Sequence, residues 1–257
     1  MLNIQSILKQ YQPITLSEMD EVALMERVDD KYTLSYQELA NILEVISSEY
    51  FCLEIDGKRS FTYQTEYLDT NDNILFKNHQ NGKLNRFKIR FRDYIESKKT
   101  FLEIKFKSNK GITKKTRTSI PFQEKNITKT CKEFIESETP YLTKNLDIKL
   151  KNNFERITLV NLISKERVTL DFNLKFSNPN LGTKSRAYNL GIIEIKREKE
   201  NKKSQLLSIL KRKRIRPTRF SKYTIGSCLL DSSTKYNNFK RKLLFMNKLS
   251  QNGSIGN

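Results

Sequence analysis

Residues 84–94 contain Arg86, Lys88, Arg90 and Arg92 at every second position, with Phe87, Ile89 and Phe91 between them. Side chains of a β-strand alternate between its two faces. This stretch therefore has one wholly basic face and one wholly apolar face. A helix would scatter both sets around its axis, so the segment is a strand whose two sides meet different surroundings.

The alternation recurs. Glu103, Lys105 and Lys107 alternate with Leu102, Ile104 and Phe106. Lys115 and Arg117 share one parity, as do Arg27, Asp29 and Lys31. Arg167, Thr169 and Asp171 alternate with Val168, Leu170 and Phe172, and Glu194 and Lys196 with Ile193 and Ile195; Arg156 and Thr158 complete the set. Taken singly, each row would serve as the wet face of an antiparallel sheet. Together they are too uniformly basic for that, because like charges opposite one another repel. A sheet closed with its charged faces inward would enclose a cavity for a polyphosphate, with the apolar faces outward against helices. The few acids in those rows, Asp29, Glu103, Asp171 and Glu194, then serve as ion-pair partners, and one or two suit a divalent metal held by hard oxygens.

The periodicities predict strands over 27–33, 61–68, 84–94, 100–108, 112–119, 154–162, 166–176 and 188–197. Helices are predicted over 3–9, 17–24, 35–47, 73–81, 128–137, 204–211, 221–230 and 235–248. Ser35-Tyr36-Gln37-Glu38 is a capping box that starts the third of these helices. Strands that neighbour one another in sequence, with helices between and after them, indicate an α+β fold built on an antiparallel sheet or barrel. We read residues 1–249 as a single domain and 250–257 as a flexible tail.

Composition narrows the ligand. The 257 residues carry 48 Lys and Arg against 29 Asp and Glu, a net charge of +19, and 15 Phe with 11 Tyr supply a core. Such an excess selects polyanions: nucleic acid, an anionic membrane surface or a phosphate-rich small molecule. Cys52, Cys131 and Cys228 are odd in number and show no metal-site spacing, which suits a reducing, cytoplasmic setting. No run reaches the apolar length of a membrane span. His79, the single histidine, is expected on a helix surface, and histidine-based acid–base chemistry is unfavoured. Eight glycines include no Walker A or GxGxxG pattern. The densest basic run, residues 211–216, reads equally as a steering patch or as a solvated helix end.

The ordered set Arg27-Val28-Asp29-Asp30-Lys31-Tyr32, Tyr67-Leu68-Asp69-Thr70, His79-Gln80-Asn81-Gly82, Arg86-Phe87-Lys88-Ile89-Arg90, Leu102-Glu103-Ile104-Lys105, Lys115-Thr116-Arg117, Glu155-Arg156-Ile157-Thr158, Arg167-Val168-Thr169-Leu170-Asp171, Ile193-Glu194-Ile195-Lys196 and Phe220-Ser221-Lys222-Tyr223 resembles the VTC domain. That is the polyphosphate polymerase branch of the CYTH, or triphosphate tunnel, superfamily. The resemblance implies an antiparallel β-barrel tunnel with flanking helices, a CYTH-like fold. It implies transfer of the ATP γ-phosphate to a growing inorganic polyphosphate chain with Mn²⁺ or Mg²⁺. Lys88, Arg90, Lys105 and Lys222 would be catalytic. Arg27, Lys31, Lys115, Arg117, Arg156, Arg167 and Lys196 would bind phosphate, with Arg86 and Arg92 on the same face, and Glu194 would be the metal ligand. Lys88 departs from the Arg usual in the eukaryotic enzymes, and the ExExK signature of sister branches is absent. An inorganic triphosphatase and a non-catalytic polyphosphate binder are the alternatives. ATP and polyphosphate are the implied partners, without a specific nucleic acid; peripheral association with a membrane partner stays open.

Overall fold

The computed structural model describes residues 3–20, 27–185, 188–199 and 204–252. Its strands are β1 Gln12–Ile14, β2 Arg27–Ser35, β3 Phe51–Leu53, β4 Phe61–Thr70, β5 Arg86–Tyr94, β6 Lys99–Lys107, β7 Thr113–Ile120, β8 Leu146–Asn161, β9 Glu166–Asn178, β10 Thr183–Lys184 and β11 Leu190–Glu198. The helices are α1 Ile4–Leu8, α2 Leu16–Asp20, α3 Tyr36–Val45, α4 Ile74–Gln80, α5 Lys129–Glu138, α6 Gln205–Arg212, α7 Lys222–Leu230 and α8 Lys240–Asn252.

The main sheet runs β2-β11-β9-β8-β4-β5-β6-β7, antiparallel at every step. It is open: β2 and β7 end the path without pairing, so the expected closed barrel is not formed. Both edges have a reason. β7 exposes Lys114, Lys115 and Arg117, and charge on an edge strand discourages pairing. On β2, the outward carbonyl of Lys31 accepts the N–H of Thr218 at 2.6 Å, and the Thr33 and Thr218 hydroxyls lie 2.9 Å apart.

The apolar parity lies outward, as the alternation requires. Ile157, Leu159, Val168, Leu170, Ile193 and Ile195 pack beneath α1, α3 and α6, while Ile89, Phe91, Leu102 and Ile104 pack beneath α5. Ser35 caps α3 by accepting the Glu38 N–H at 3.2 Å. A further core forms on the charged face itself. There Tyr67, Leu150, Phe176 and Ile192 meet Tyr223 and Ile225 of α7 and Met246 of α8. Helix α7 presses so close that a Cβ on Gly226 would stand 2.6 Å from Phe176 and 2.7 Å from Leu150. Glycine is what admits this helix.

Three features escaped periodicity, two in strands and one in a helix. The short β1 and β3 pair in parallel. Strand β8 begins at Leu146 rather than 154, because a bulge between Asn153 and Glu155 shifts the register and breaks the alternation there. The last helix starts at Lys240, after a 3₁₀ turn at Asn237–Phe239, and continues to Asn252. The second half of the predicted 17–24 helix, residues 21–24, and residues 253–257 lie outside the described residues; the first half falls in α2. Among the described residues, no helix is long and apolar enough to cross a membrane.

Candidate functional site: a basic hollow

Strand register places the cations. Lys88 of β5 lies opposite Lys105 of β6, which lies opposite Lys115 of β7. The next row reads Arg90, Glu103, Arg117, and the row before it contains Arg86 opposite Lys107. Directly opposed side chains stand roughly 5 Å apart at Cβ, so three lysines abreast repel. Lys115 relieves its share by reaching Glu103 at 2.5 Å. Lys88 and Lys105 form no ion pair among the described residues; the Lys88 ammonium donates only to the Ser221 hydroxyl, at 3.0 Å. Burial, then the charges of Lys105 and Arg90, push Lys88 down to about 7. Surrounding protein, then Lys31 and Arg90, push Lys105 down to about 8, although the residue is exposed.

Three carboxylates organise the other cations. Glu103 is 1% exposed and takes Arg90 Nη2 at 2.7 Å and Nε at 2.8 Å. Asp171 takes Arg156 Nε at 2.6 Å and Nη2 at 2.8 Å and also binds the Lys222 ammonium. Glu194 Oε1 takes Lys31, and Lys196 at 3.1 Å; Lys196 also reaches Asp29 at 3.4 Å. Burial by itself would raise all three carboxyls. The guanidinium of Arg156 and the ammonium of Lys222 instead hold Asp171 at about 2. Arg90, Arg92 and Lys115 hold Glu103, and Lys196 and Lys31 hold Glu194, far below the usual carboxylate range. Lys222, at the first turn of α7, is lowered to about 8 by burial against the opposing pull of Asp171. Aromatic rings complete the walls, with Arg156 5.0 Å from the Tyr63 centroid and Lys222 4.1 Å from that of Phe154.

The open sheet still encloses space. A cavity of about 920 Å³ is lined by Asp29 and Lys31 of β2, Arg86 and Lys88 of β5, and Lys107 of β6. The edge strand β2 and, from the other half of the sheet, β5 and β6 therefore border one hollow, and residues 79–82, residues 217–221, Phe239 and Lys242 form its rim.

Most of the sequence-predicted residues meet there or in the adjoining ion-pair network: Lys31, Arg86, Lys88, Arg90, Lys115, Arg156, Glu194, Lys196 and Lys222; Lys105 is exposed beside Lys88 in register, outside both. Arg92 is a buried wall, 7% exposed, donating to the Thr65 hydroxyl at 3.3 Å. Arg117 lies against Phe101 near the β7 edge, 4.5 Å from the ring centroid. Arg167 opposes Lys196 in register and donates to the Met19 carbonyl at 3.1 Å. Arg27 opposes Glu198 along the backbone, and its side chain lies outside the described residues. His79 corrects an expectation: it is half-buried at the rim rather than on the helix surface, and its Nδ1 has no hydrogen-bond partner among the described residues. Burial and the nearby Lys88, Arg86, Lys242 and Lys107 lower its imidazole to about 3, so it is neutral. Sequence reading missed Arg219 and Lys242, because they arrive from a loop and a helix that share no parity with the strands.

The carboxylate of Glu194 is the kind of hard donor that Mg²⁺ and Mn²⁺ take. Among the described residues, no group of three or more His, Cys, Asp or Glu is arranged to hold a metal. The donor set therefore fits a cation that brings phosphate oxygens with it and needs one protein carboxylate. It does not fit a metal held by protein groups alone.

The depressed lysines make anion binding pH-dependent. At pH 8, Lys88 is mostly neutral and Lys105 and Lys222 are about half so; an arriving polyanion favours their charged forms. Tripolyphosphate binding at pH 8 is expected to take up about one to two protons and to weaken as pH rises from 7 to 9. Calorimetry in two buffers of different ionisation enthalpy measures this directly. A binding heat independent of buffer refutes the lysine assignments.

A family model described as the VTC domain matches residues 26–231. No curated protein matches the chain. Similar solved structures include an adenylyl cyclase candidate from Hippeastrum, described as having a dominant triphosphatase activity; it is 17% identical, covers 83% of this chain and 99% of its own, and has a TM-score of 0.49. A candidate adenylate cyclase from Vibrio parahaemolyticus is 12% identical, with coverage of 80% and 99% and a TM-score of 0.46. One from Bacillus halodurans is 13% identical, with coverage of 77% and 96% and a TM-score of 0.43. With its family match extending over the strands that carry the basic hollow, the chain belongs to the VTC domain family.

Proposed function

We propose that the protein is a polyphosphate polymerase that moves the γ-phosphoryl group of ATP onto the end of an inorganic polyphosphate chain. The observation that carries this reading is the row Lys88–Lys105–Lys115, whose first two ammoniums have no carboxylate partner among the described residues, and whose first, Lys88, lines a hollow of about 920 Å³. Such a row stores repulsion that a phosphate chain relieves.

In the step, a terminal polyphosphate oxygen forms a bond to the γ-phosphorus as the bond from that phosphorus to the bridging β-oxygen breaks, and ADP leaves with the electron pair. The attacking oxygen is already anionic, so no general base is required. Alignment and charge neutralisation do the work. Lys88, Arg90, Lys105 and Lys222 are assigned to the reacting phosphates. Lys31, Arg86, Lys115, Arg156 and Lys196 hold the chain on either side, and Arg92 supports the wall behind them. Glu194 takes Mn²⁺ or Mg²⁺, which supplies further neutralisation of phosphate oxygens when bound with the nucleotide.

Incubation with ATP and Mn²⁺ is expected to yield long polyphosphate chains, read by gel mobility. Glu194→Gln is expected to lower turnover at least about 100-fold, the scale of a lost electrostatic contact, while tripolyphosphate affinity changes less than about three-fold. Release of orthophosphate alone would replace the polymerase reading with an inorganic triphosphatase. Binding without turnover of any kind would leave a polyphosphate-binding module.

A further inference from the structure

Residues 204–252 carry twelve Lys and Arg against one acid, Asp231, so they supply eleven of the chain's nineteen net positive charges. The hollow and its ion-pair network take only Arg219, Lys222 and Lys242 from this excess. Lys211, Arg212, Lys213, Arg214 and Arg216 are all exposed and lie outside its lining. Beside them, α8 turns Arg241, Leu244, Phe245 and Lys248 outward, at the spacing of one helix face. Leu244 is 60% exposed and Phe245 is 42% exposed. The two elements meet at a groove of about 590 Å³ lined by the apolar Leu34, Ile215, Phe245 and Leu249 and by Arg214, Arg216 and Lys213, the last paired with Glu38 at 2.7 Å.

A solvated helix end explains the cations but not two large apolar side chains held among them. A nucleic-acid backbone uses the cations and gains nothing from Leu244 and Phe245. Apolar anchors surrounded by lysines and arginines match the chemistry of an anionic bilayer: the apolar groups enter the headgroup boundary and the cations meet lipid phosphates.

We propose that the face made by α8 and residues 211–219 docks on the surface of an anionic lipid membrane. Thr218 lines both this groove and the tunnel cavity, so docking brings the rim of the hollow close to the lipid surface. The proposal is independent of the polymerase reading, because it needs no turnover.

Co-sedimentation of the full chain with vesicles tests it. Binding is expected to vesicles that are about one-third phosphatidylserine and not to phosphatidylcholine alone. The Arg214→Gln/Arg216→Gln pair is expected to weaken binding about 30-fold, and the Leu244→Ser/Phe245→Ser pair at least about ten-fold. These positions are exposed, so both variants retain the wild-type melting temperature. Lys105→Ala, a tunnel variant, is expected to bind vesicles like wild type whether or not it still turns over ATP. Wild-type binding by the Leu244/Phe245 variant overturns the proposal in favour of a purely electrostatic surface. Loss of binding in Lys105→Ala overturns it in favour of lipid headgroups entering the tunnel, and indifference to vesicles with tight binding of duplex RNA overturns it in favour of nucleic acid.

Discussion

Lys105→Ala is expected to lower ATP-dependent polyphosphate formation by about 100- to 1,000-fold while leaving the ligand-free protein as stable as wild type or slightly more so. The opposite signs come from one geometry. Lys105 stands between Lys88 and Lys115 in register and has no ion pair among the described residues. Removing it takes away a charge that the empty protein does not need and relieves cross-strand repulsion of about 0.2–1 kcal/mol. In a chain of this length that corresponds to a rise of up to about 4 °C in melting temperature. The bound polyphosphate loses a cation at the reacting phosphates. Steady-state turnover and thermal melting on the same preparation measure both effects. Unchanged turnover, or a melting temperature several degrees lower, removes Lys105 from the site. Lys105→Arg is the complementary variant: it keeps the charge and is expected to retain most of the activity.

Asp171→Ala is expected to do the reverse, destabilising the fold by about 3–5 kcal/mol, the usual consequence of stranding a buried charge. Asp171 is 3% exposed and holds Arg156 through two hydrogen bonds while also binding Lys222. Without it, two cations remain at the junction of β8, β9 and α7 with no directly bonded counter-charge, only the more distant Glu194 near Arg156. Tripolyphosphate supplies that counter-charge, so the melting temperature of the variant is expected to rise more on ligand addition than that of wild type. The effect also has a pH signature. Asp171 is held at about 2, below its ordinary 3.8. Its stabilisation is therefore complete above about pH 4 and is lost as pH falls toward 2. The gap between wild type and variant should close in acid. A gap that stays constant down to pH 2 shows that the ion pair contributes nothing.

Much of this site was legible from alternation alone. Once Arg86, Lys88, Arg90 and Arg92 share a parity with no apolar residue among them, the chain has few ways to place them. The outward helices then follow from Ile89 and Phe91 on the other parity. Legibility stopped wherever the backbone left regular register. The bulge at Asn153 and Glu155 hid the first half of β8. Tyr67 and Ile192 have the parity of the charged row but end up in an apolar core, because α7 covers them. His79 was misplaced for a related reason: a helix taken alone does not reveal that Phe239 and Lys242 will close over it.

The order of strands along the chain and the parity of their charges were settled by sequence, since a period of two is a local property of extended backbone. Family membership was legible in the same way, from an ordered set of short motifs. Only the tertiary structure decided which cations are neutralised and which are left bare. That depends on cross-strand partners 10 or more residues apart, such as Arg90 with Glu103 and Arg156 with Asp171, and on α7, which brings Ser221 to Lys88 across 133 residues. It also decided that the sheet stays open, because the outer edge of β2 is taken by Thr218 and that of β7 by its own charge. Pairing and closure are long-range competitions for the same backbone groups, and no local pattern records their outcome.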